Sequence, residues 1–256
     1  RSNGTANMIE LATRKGLVKK TALSSYDSPR QAGLIAVNFR DAEDELIGAE
    51  LVNADDDVLL VSRKGQGVRF PVDDEQVRPM GRTTSGVTGM RFRGDDELLS
   101  MAVIPAEADE DSRFLFSVTD EGYAKRTPVS EFRRQNRGGL GVRAMRLSDE
   151  RGGLVAALVV SEEDEVISFK ASGQVIRSAV ADVSPTGRDT MGVKFVGIKG
   201  DDQVVAVTVN PEPEEDENAE EAGTESIAAA ESEVASDDDG ATVGQDVSAE
   251  REATDE

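Results

Sequence analysis

Basic side chains set close behind glycines are the groups in this 256-residue sequence whose types and spacing could do chemistry, and the chemistry they suit is the holding of anions. Lys19 and Lys20 follow Gly16, Arg69 follows Gly65, Lys125 and Arg126 follow Gly122, and Arg177 follows Gly173, each base within four residues of its glycine. A second element also recurs: an arginine, then two or three mostly small or polar residues, then a glycine leading into an apolar alternation. Its copies run Arg30–Gly33, Arg82–Gly86, Arg137–Gly141 and Arg188–Gly192. Guanidinium and ammonium groups make charge-assisted bonds to phosphate oxygens, and glycine lets backbone approach an anion closely. The third copy is the richest, with Arg133, Arg134, Arg137 and Arg143 around Gly138, Gly139 and Gly141.

Other chemistries are poorly supplied. Histidine, cysteine and tryptophan are absent, which excludes disulfides, thiolate metal sites, cysteine nucleophiles and histidine-based acid–base work. The acidic pairs Asp44-Glu45, Asp96-Glu97 and Asp201-Asp202 resemble paired carboxylates, but each recurs at a fixed place before an apolar run. They read as turn formers that also guard a strand edge, and no metal site is expected. No apolar run near 18 residues and no basic-then-apolar leader is present, so the expectation is a cytoplasmic, nucleoid-associated protein with no membrane partner.

The elements that must position the bases follow from the period. The glycines 16, 65, 122 and 173 lie 49, 57 and 51 residues apart, a spacing suited to one four-stranded sheet per unit. Short β-branched and aromatic runs, Val58–Val61, Phe114–Val118 and Val166–Phe169, precede three of the glycines and read as buried strands. Runs such as Leu34–Phe39 and Val193–Ile198 lead through an acidic turn to a closing strand. The first ten residues carry no signal, and the first unit is expected to lack a leading strand. Units are placed at 11–52, 53–104, 105–160 and 161–210. For the turn glycines the expected role is the turn itself, which needs positive φ.

Net charge misleads in this sequence. Residues 211–256 hold 18 Asp or Glu against one Arg, leaving a net of −5 on the first 210 residues out of −22 overall. With no Phe, Tyr or Leu, the acidic segment buries too little apolar surface to offset its ordering entropy and is expected to be a disordered tail. The remainder can carry a positive track along one rim if the units stack around an axis.

The run Gln135-Asn136-Arg137-Gly138-Gly139-Leu140-Gly141 resembles the seven-residue box Gln-Arg-Arg-Gly-Gly-Lys-Gly of the DNA gyrase A-subunit family, agreeing at five of seven positions. Leu11–Lys20, Arg69-Phe70-Pro71, Arg78–Val87, Gly122–Thr127 and Gly187–Val193 are similar to the same family, in order, over roughly residues 11 to 210. The resemblance implies an all-β fold, a propeller-like β-pinwheel of four-stranded blades. Four of the usual six blades are present, with the duplex bent around a basic perimeter. Asn136 and Leu140 stand where the family box has Arg and Lys, which removes two charges from it. The family's principal box belongs to a first blade absent here, so Gln135–Gly141 corresponds to a second copy of the kind seen in actinobacterial gyrases.

By the same resemblance the function is to bind and wrap duplex DNA, supporting ATP-dependent negative supercoiling by the holoenzyme. The implied partners are duplex DNA, the gyrase B subunit, with which an A2B2 assembly is formed, and the rest of the gyrase A subunit. No catalytic residue and no cofactor are expected in this chain, ATP and Mg being used on other domains; Tyr26 and Tyr123 lie in repeat elements and resemble no breaking tyrosine. The expected DNA contacts are Arg30, Arg82, Arg137 and Arg188, the turn bases Lys19, Lys20, Arg69, Lys125, Arg126 and Arg177, and the cluster Arg133, Arg134 and Arg143. The alternatives are a propeller-like protein-interaction platform that does not bind DNA and the C-terminal domain of the topoisomerase IV A subunit.

Overall fold

The computed structural model describes residues 7–29 and 32–210; the acidic segment 211–256, Arg30, Gln31 and residues 1–6 lie outside the described residues. Along the chain run β1 (Met8–Thr13), β2 (Leu17–Ala22), β3 (Leu46–Val52), β4 (Asp57–Ser62) and β5 (Gln66–Pro71). Then follow β6 (Val87–Thr88), β7 (Leu98–Ile104), β8 (Arg113–Thr119), β9 (Tyr123–Pro128), β10 (Val142–Arg143) and β11 (Leu154–Ser161). The last are β12 (Glu165–Lys170), β13 (Val175–Ala179), β14 (Val193–Lys194) and β15 (Val204–Val209). The fold is all-β apart from single turns of 3-10 helix. The first unit has its leading strand after all, since β1 occupies Met8–Thr13; its mixed sequence, Met-Ile-Glu-Leu-Ala-Thr, hides it.

Each blade is built around a hairpin whose turn holds the recurrent glycine: β1–β2, β4–β5, β8–β9 and β12–β13. On the other side of the leading strand lies the unit's closing strand, β3, β7, β11 or β15. The fourth strand is not the unit's own. Val87 and Thr88 of β6 pair with Val18 and Leu17 of the preceding blade, β10 pairs with β5, and β14 pairs with β9. The sheets therefore read β3-β1-β2-β6, β7-β4-β5-β10 and β11-β8-β9-β14, while the last, β15-β12-β13, has three strands. Among the described residues no later unit supplies a strand to β13. Likewise Leu34–Phe39, the first unit's counterpart of β6, is not a strand, and among the described residues no blade stands beside it to pair with.

Burial on both faces explains why the leading strands read as continuous apolar runs and not as alternations. Leu60 and Val58 pack with Ala12, Val18 and Met90, while Leu59 and Val61 on the opposite face pack with Leu115, Phe132 and Met145. A third layer joins Phe116 and Val118 to Val180, Val196 and Val204. The core thus lies between successive blades, as in other repeat folds.

The acidic pairs do the turn work expected of them. Asp44 Oδ1 accepts the backbone N–H of Lys15 at 2.9 Å, Asp96 Oδ1 that of Lys64 at 2.9 Å, and Asp202 Oδ1 that of Ser172 at 3.0 Å. Each donor is the residue just before a turn glycine, so the acid fixes the hairpin tip.

Candidate nucleic-acid interface

The bases four residues after the turn glycines do not line a rim. Lys20 is buried and donates to the Val72 carbonyl at 2.5 Å and to Asp74 Oδ1 at 2.9 Å. Arg69 is buried, with Nε 2.6 Å from Asp57 Oδ2, Nη1 2.9 Å from Glu110 Oε2, and longer contacts to the Val129 and Phe132 carbonyls. Arg126 is buried over the Phe114 ring, 4.6 Å from its centroid, with Nη2 3.3 Å from Glu162. Val72 and Val129 belong to the next unit in each case, so these bases join one blade to the next.

One position earlier, Lys19 donates to the carbonyls of Ala36 and Arg82, and Lys125 to those of Ala144 at 2.6 Å, Gly187 at 3.0 Å and Arg188. Burial, with the nearby Arg188 charge, pulls the Lys125 ammonium down to about 8. The assignment of Lys19, Lys20, Arg69, Lys125 and Arg126 as phosphate contacts is therefore corrected: all five are buried, the lysines and Arg69 are bonded to protein acceptors, and Arg126 lies over Phe114 with its Nε and Nη1 buried and without a partner among the described residues. Only Arg177, in the blade that no described unit covers, is exposed, paired with Glu165 at 2.5 Å.

The arginines of the second element form a separate series. Arg82 Nη1 donates to the Ile35 carbonyl at 2.8 Å, Arg137 Nη1 to Thr88 at 2.9 Å, and Arg188 Nη1 to Arg143 at 3.2 Å. Every acceptor lies two residues beyond the preceding unit's second-element glycine, so each arginine staples its element onto the one before. The three arginines remain half-buried, and Arg188 Nε is itself buried, 3.8 Å from Glu131 Oε2. Arg30 lies outside the described residues.

The box-like run is held more firmly than its neighbours. Gln135 N–H donates to the Arg69 carbonyl at 2.9 Å, Gly138 N–H to Gly89 at 2.5 Å, and Arg91 N–H to the Gly139 carbonyl at 2.9 Å. Arg137 is fixed at both ends, its N–H to Gln76 Oε1 at 3.0 Å and its Nε to the Gln76 carbonyl. A Cβ on Gly138 would stand 3.4 Å from the Thr88 carbonyl, which shows how closely the two backbones approach.

Around this run the surface is cationic. Arg133 and Arg134 are exposed, Arg134 reaching Asp57 at 2.7 Å. Arg143 shares Asp189 with Arg146 at 2.8 and 2.9 Å, and the two guanidinium groups hold that carboxyl down at about 2. Sequence reasoning missed Arg78, Arg91 and Arg93. All three are exposed, and with Arg133 they carry no side-chain hydrogen bond or ion pair among the described residues. Arg91 and Arg93 flank a cleft of about 240 Å³ that reaches Leu140 and Gly141 and includes Lys64 and Gln66. The only signal in the sequence was the Arg-Phe-Arg alternation of residues 91–93, which lies between the recurrent elements. Its proximity to the box is created by packing.

An all-β repeat in which each blade takes its outer strand from the next unit, and which presents unpaired arginines around a glycine-rich run, defines the propeller-like class of β-pinwheels. The chain belongs to the DNA gyrase C-terminal domain, beta-propeller family, which matches residues 11–53, 56–105, 113–161 and 162–211. It is 54% identical over 208 residues to the DNA gyrase A subunit of Streptomyces coelicolor, covering 80% of this chain and 24% of that one. It is 51% identical over 243 residues to the DNA gyrase A subunit of a Nocardioides species, covering 84% and 26%. The chain thus spans about a quarter of the length of these curated relatives. Among solved structures, a DNA gyrase A C-terminal domain superposes with a TM-score of 0.70 at 26% identity, covering 82% of this chain and 68% of that one. The C-terminal domain of a DNA topoisomerase IV shares the fold, with a TM-score of 0.71 at 24% identity, covering 82% and 64%.

Proposed function

We propose that this chain binds duplex DNA through the exposed arginines around Gln135–Gly141 and bends it, as the wrapping part of a gyrase A subunit. The observation that carries the reading is the group Arg78, Arg91, Arg93 and Arg133, cations with no protein partner among the described residues beside a box-like run that resembles the gyrase element. A cation already bonded to a carboxylate must give up that bond to reach a phosphate, whereas an unpaired one needs only to shed water and chloride. Arg82, Arg137 and Arg188, half-buried at the surface, fix the spacing of the track through their staples. Bending a site of a few helical turns costs about 1–6 kcal/mol, which several such contacts along a curved track can offset.

Contacts of this kind carry little sequence information, so the chain supplies geometry. In the assembled enzyme, wrapping presents a neighbouring duplex with a fixed crossing sign. ATP-driven strand passage by the B subunit with the rest of the A subunit then becomes negative supercoiling. ATP and Mg act on those other parts.

The test is binding of the chain to a duplex of about 40 base pairs across a salt series, with topology of a nicked circle sealed in its presence as the readout of wrapping. Steep loss of affinity with salt and a shift in linking number support the reading. A folded chain that leaves the linking number unchanged and shows no affinity at low salt overturns it.

A further inference from the structure

Where one unit meets the next, an arginine of the earlier unit caps the carbonyl of the later unit's second-element glycine, but at only two of the three described junctions. Arg40 Nη2 donates to the Gly86 carbonyl at 2.6 Å. Arg151 Nη1 donates to the Gly192 carbonyl at 2.7 Å, with its guanidinium over the Tyr123 ring, 4.6 Å from the centroid. The middle junction is uncapped. Arg93 stands seven residues after Gly86, as Arg40 does after Gly33, yet it is exposed, and no side chain among the described residues bonds the Gly141 carbonyl. What an arginine fills elsewhere is here the cleft of about 240 Å³ beside Arg91 and Arg93, with described units on both sides of it.

The lining combines three kinds of group. Phe92 and Leu140 give it apolar surface: Leu140 is 39% exposed, and Phe92 is seated so closely on the first hairpin that a Cβ on Gly16 would stand 2.8 Å from its Cε2. Arg91 and Arg93 bring guanidinium groups with no side-chain partner, and Gln66 an amide with none, among the described residues. The lining acid, Asp96, is already engaged, Oδ1 accepting the Lys64 N–H at 2.9 Å and Oδ2 the Ser62 hydroxyl at 2.7 Å. A backbone phosphate of a duplex would use the cations and leave Phe92 and Leu140 wet. A ligand that uses every group has a flat ring, an edge that exchanges hydrogen bonds with an amide, and an anion. At this volume, below the usual ligand-pocket range of about 300–1,000 Å³, there is room for one ring system.

We infer that this cleft binds a single nucleoside monophosphate unit, the base against Phe92 and Leu140 with Gln66 at its edge, and the phosphate on Arg91 and Arg93. That chemistry is shared by a free nucleotide and by an unpaired nucleotide of single-stranded DNA. A paired base is excluded, because its faces and its edge are already taken within the duplex. Occupancy withdraws two of the unpaired arginines from the surface, so a nucleotide in the cleft competes with a duplex. This competition rests on the duplex-binding reading above, whereas the site itself does not.

The test is calorimetric titration of the whole chain at low salt with adenosine monophosphate, ribose 5-phosphate and inorganic phosphate. Adenosine monophosphate should bind about tenfold or more tightly than ribose 5-phosphate, the difference being the stacked base. Leu140→Ala should weaken adenosine monophosphate about fivefold and leave inorganic phosphate unchanged. Arg93→Ala should weaken both, and circular dichroism with the unfolding midpoint checks that each variant is folded. Tighter binding of a five-residue deoxyadenylate strand than of adenosine monophosphate, per nucleotide, supports the site with single-stranded DNA as its source; equal or weaker binding supports it with free nucleotides. Adenosine monophosphate bound by a chain that binds no duplex supports the site while overturning the duplex-binding reading. No binding at about millimolar concentration, no preference over ribose 5-phosphate, or an affinity that both folded variants leave unchanged would each overturn the proposal.

Discussion

The basic residues of this chain fall into two populations that the sequence does not separate. Arg69, buried between blades, binds Asp57 and Glu110, whereas Arg91 and Arg93 in the same unit have no side-chain partner among the described residues. A base behind a turn glycine is a tie where a following unit covers it, and it stays at the surface, as Arg177 does, where none of the described units covers it. Stability and binding should therefore respond to different substitutions, and that separation can be broken or sharpened in four ways.

The largest effect is expected at Arg69. Arg69→Ala strips the buried Asp57 of one of its two cations and empties a site closed on all sides, and should cost about 3–5 kcal/mol in urea unfolding. DNA affinity of the fraction that stays folded should be unchanged. Loss of affinity without loss of stability would place Arg69 in the wrong population.

Next come two glycines of the repeat, one packed against the neighbouring blade and one with open space beside it. Gly141→Ala drives a Cβ to within 2.5 Å of the Gly67 carbonyl as well as straining the backbone, and should destabilise by about 2–4 kcal/mol. Gly173→Ala meets nothing, so only the left-handed backbone is penalised, at about 1 kcal/mol. Equal midpoints for the two variants would remove the distinction.

Glu10 sharpens the comparison through pH. It is a buried carboxylic acid on β1, opposite Lys20, at the position where blades two and three have Leu59 and Phe116, and both its oxygens lack a partner. Burial pushes its carboxyl up to about 8, with Lys20 opposing the shift. The folded state then holds a proton that the unfolded state releases near 4.5, so this contribution is complete below about 4.5 and declines as pH rises toward 8. Between about pH 6 and 8 the loss should be on the order of 2 kcal/mol, and Glu10→Gln should flatten that slope in unfolding measured against pH. A slope unchanged by the substitution would show that another group titrates.

The smallest effect on stability, and the clearest on binding, belongs to Arg91→Ala/Arg93→Ala. Stability should stay within about 0.5 kcal/mol, since exposed cations without partners support little. DNA affinity should fall about tenfold, and the slope of log affinity against log salt should decrease in magnitude by about 2.

Much of the architecture was legible. The recurring glycines, the acids before each closing strand and the apolar runs at Val58, Phe114 and Val166 located hairpins that the structure contains. Strand β1 was missed because Glu10 interrupts its apolar pattern. The exchanged strands were missed because β6, β10 and β14 are two residues long, too short for any periodicity to register. The candidate site was legible only in part. Local sequence identified the third box-like run but not the burial of Lys19 or Arg126, which depends on a unit roughly fifty residues downstream. Arg91 and Arg93 were overlooked for the converse reason: only the Arg-Phe-Arg alternation marks them locally, and their nearness to the box is made by the Gly138–Gly89 and Arg91–Gly139 backbone bonds.

The exchange of outer strands also sets an order of events during synthesis. The blade begun by Met8 is finished only when Thr88 has emerged, and the blade begun by Asp57 waits for Arg143. Completion therefore trails elongation by one unit throughout, and a nascent chain always carries one hairpin with a bare edge. Removing the second element of a single unit would leave its own hairpin intact and the sheet of the unit before it with three strands.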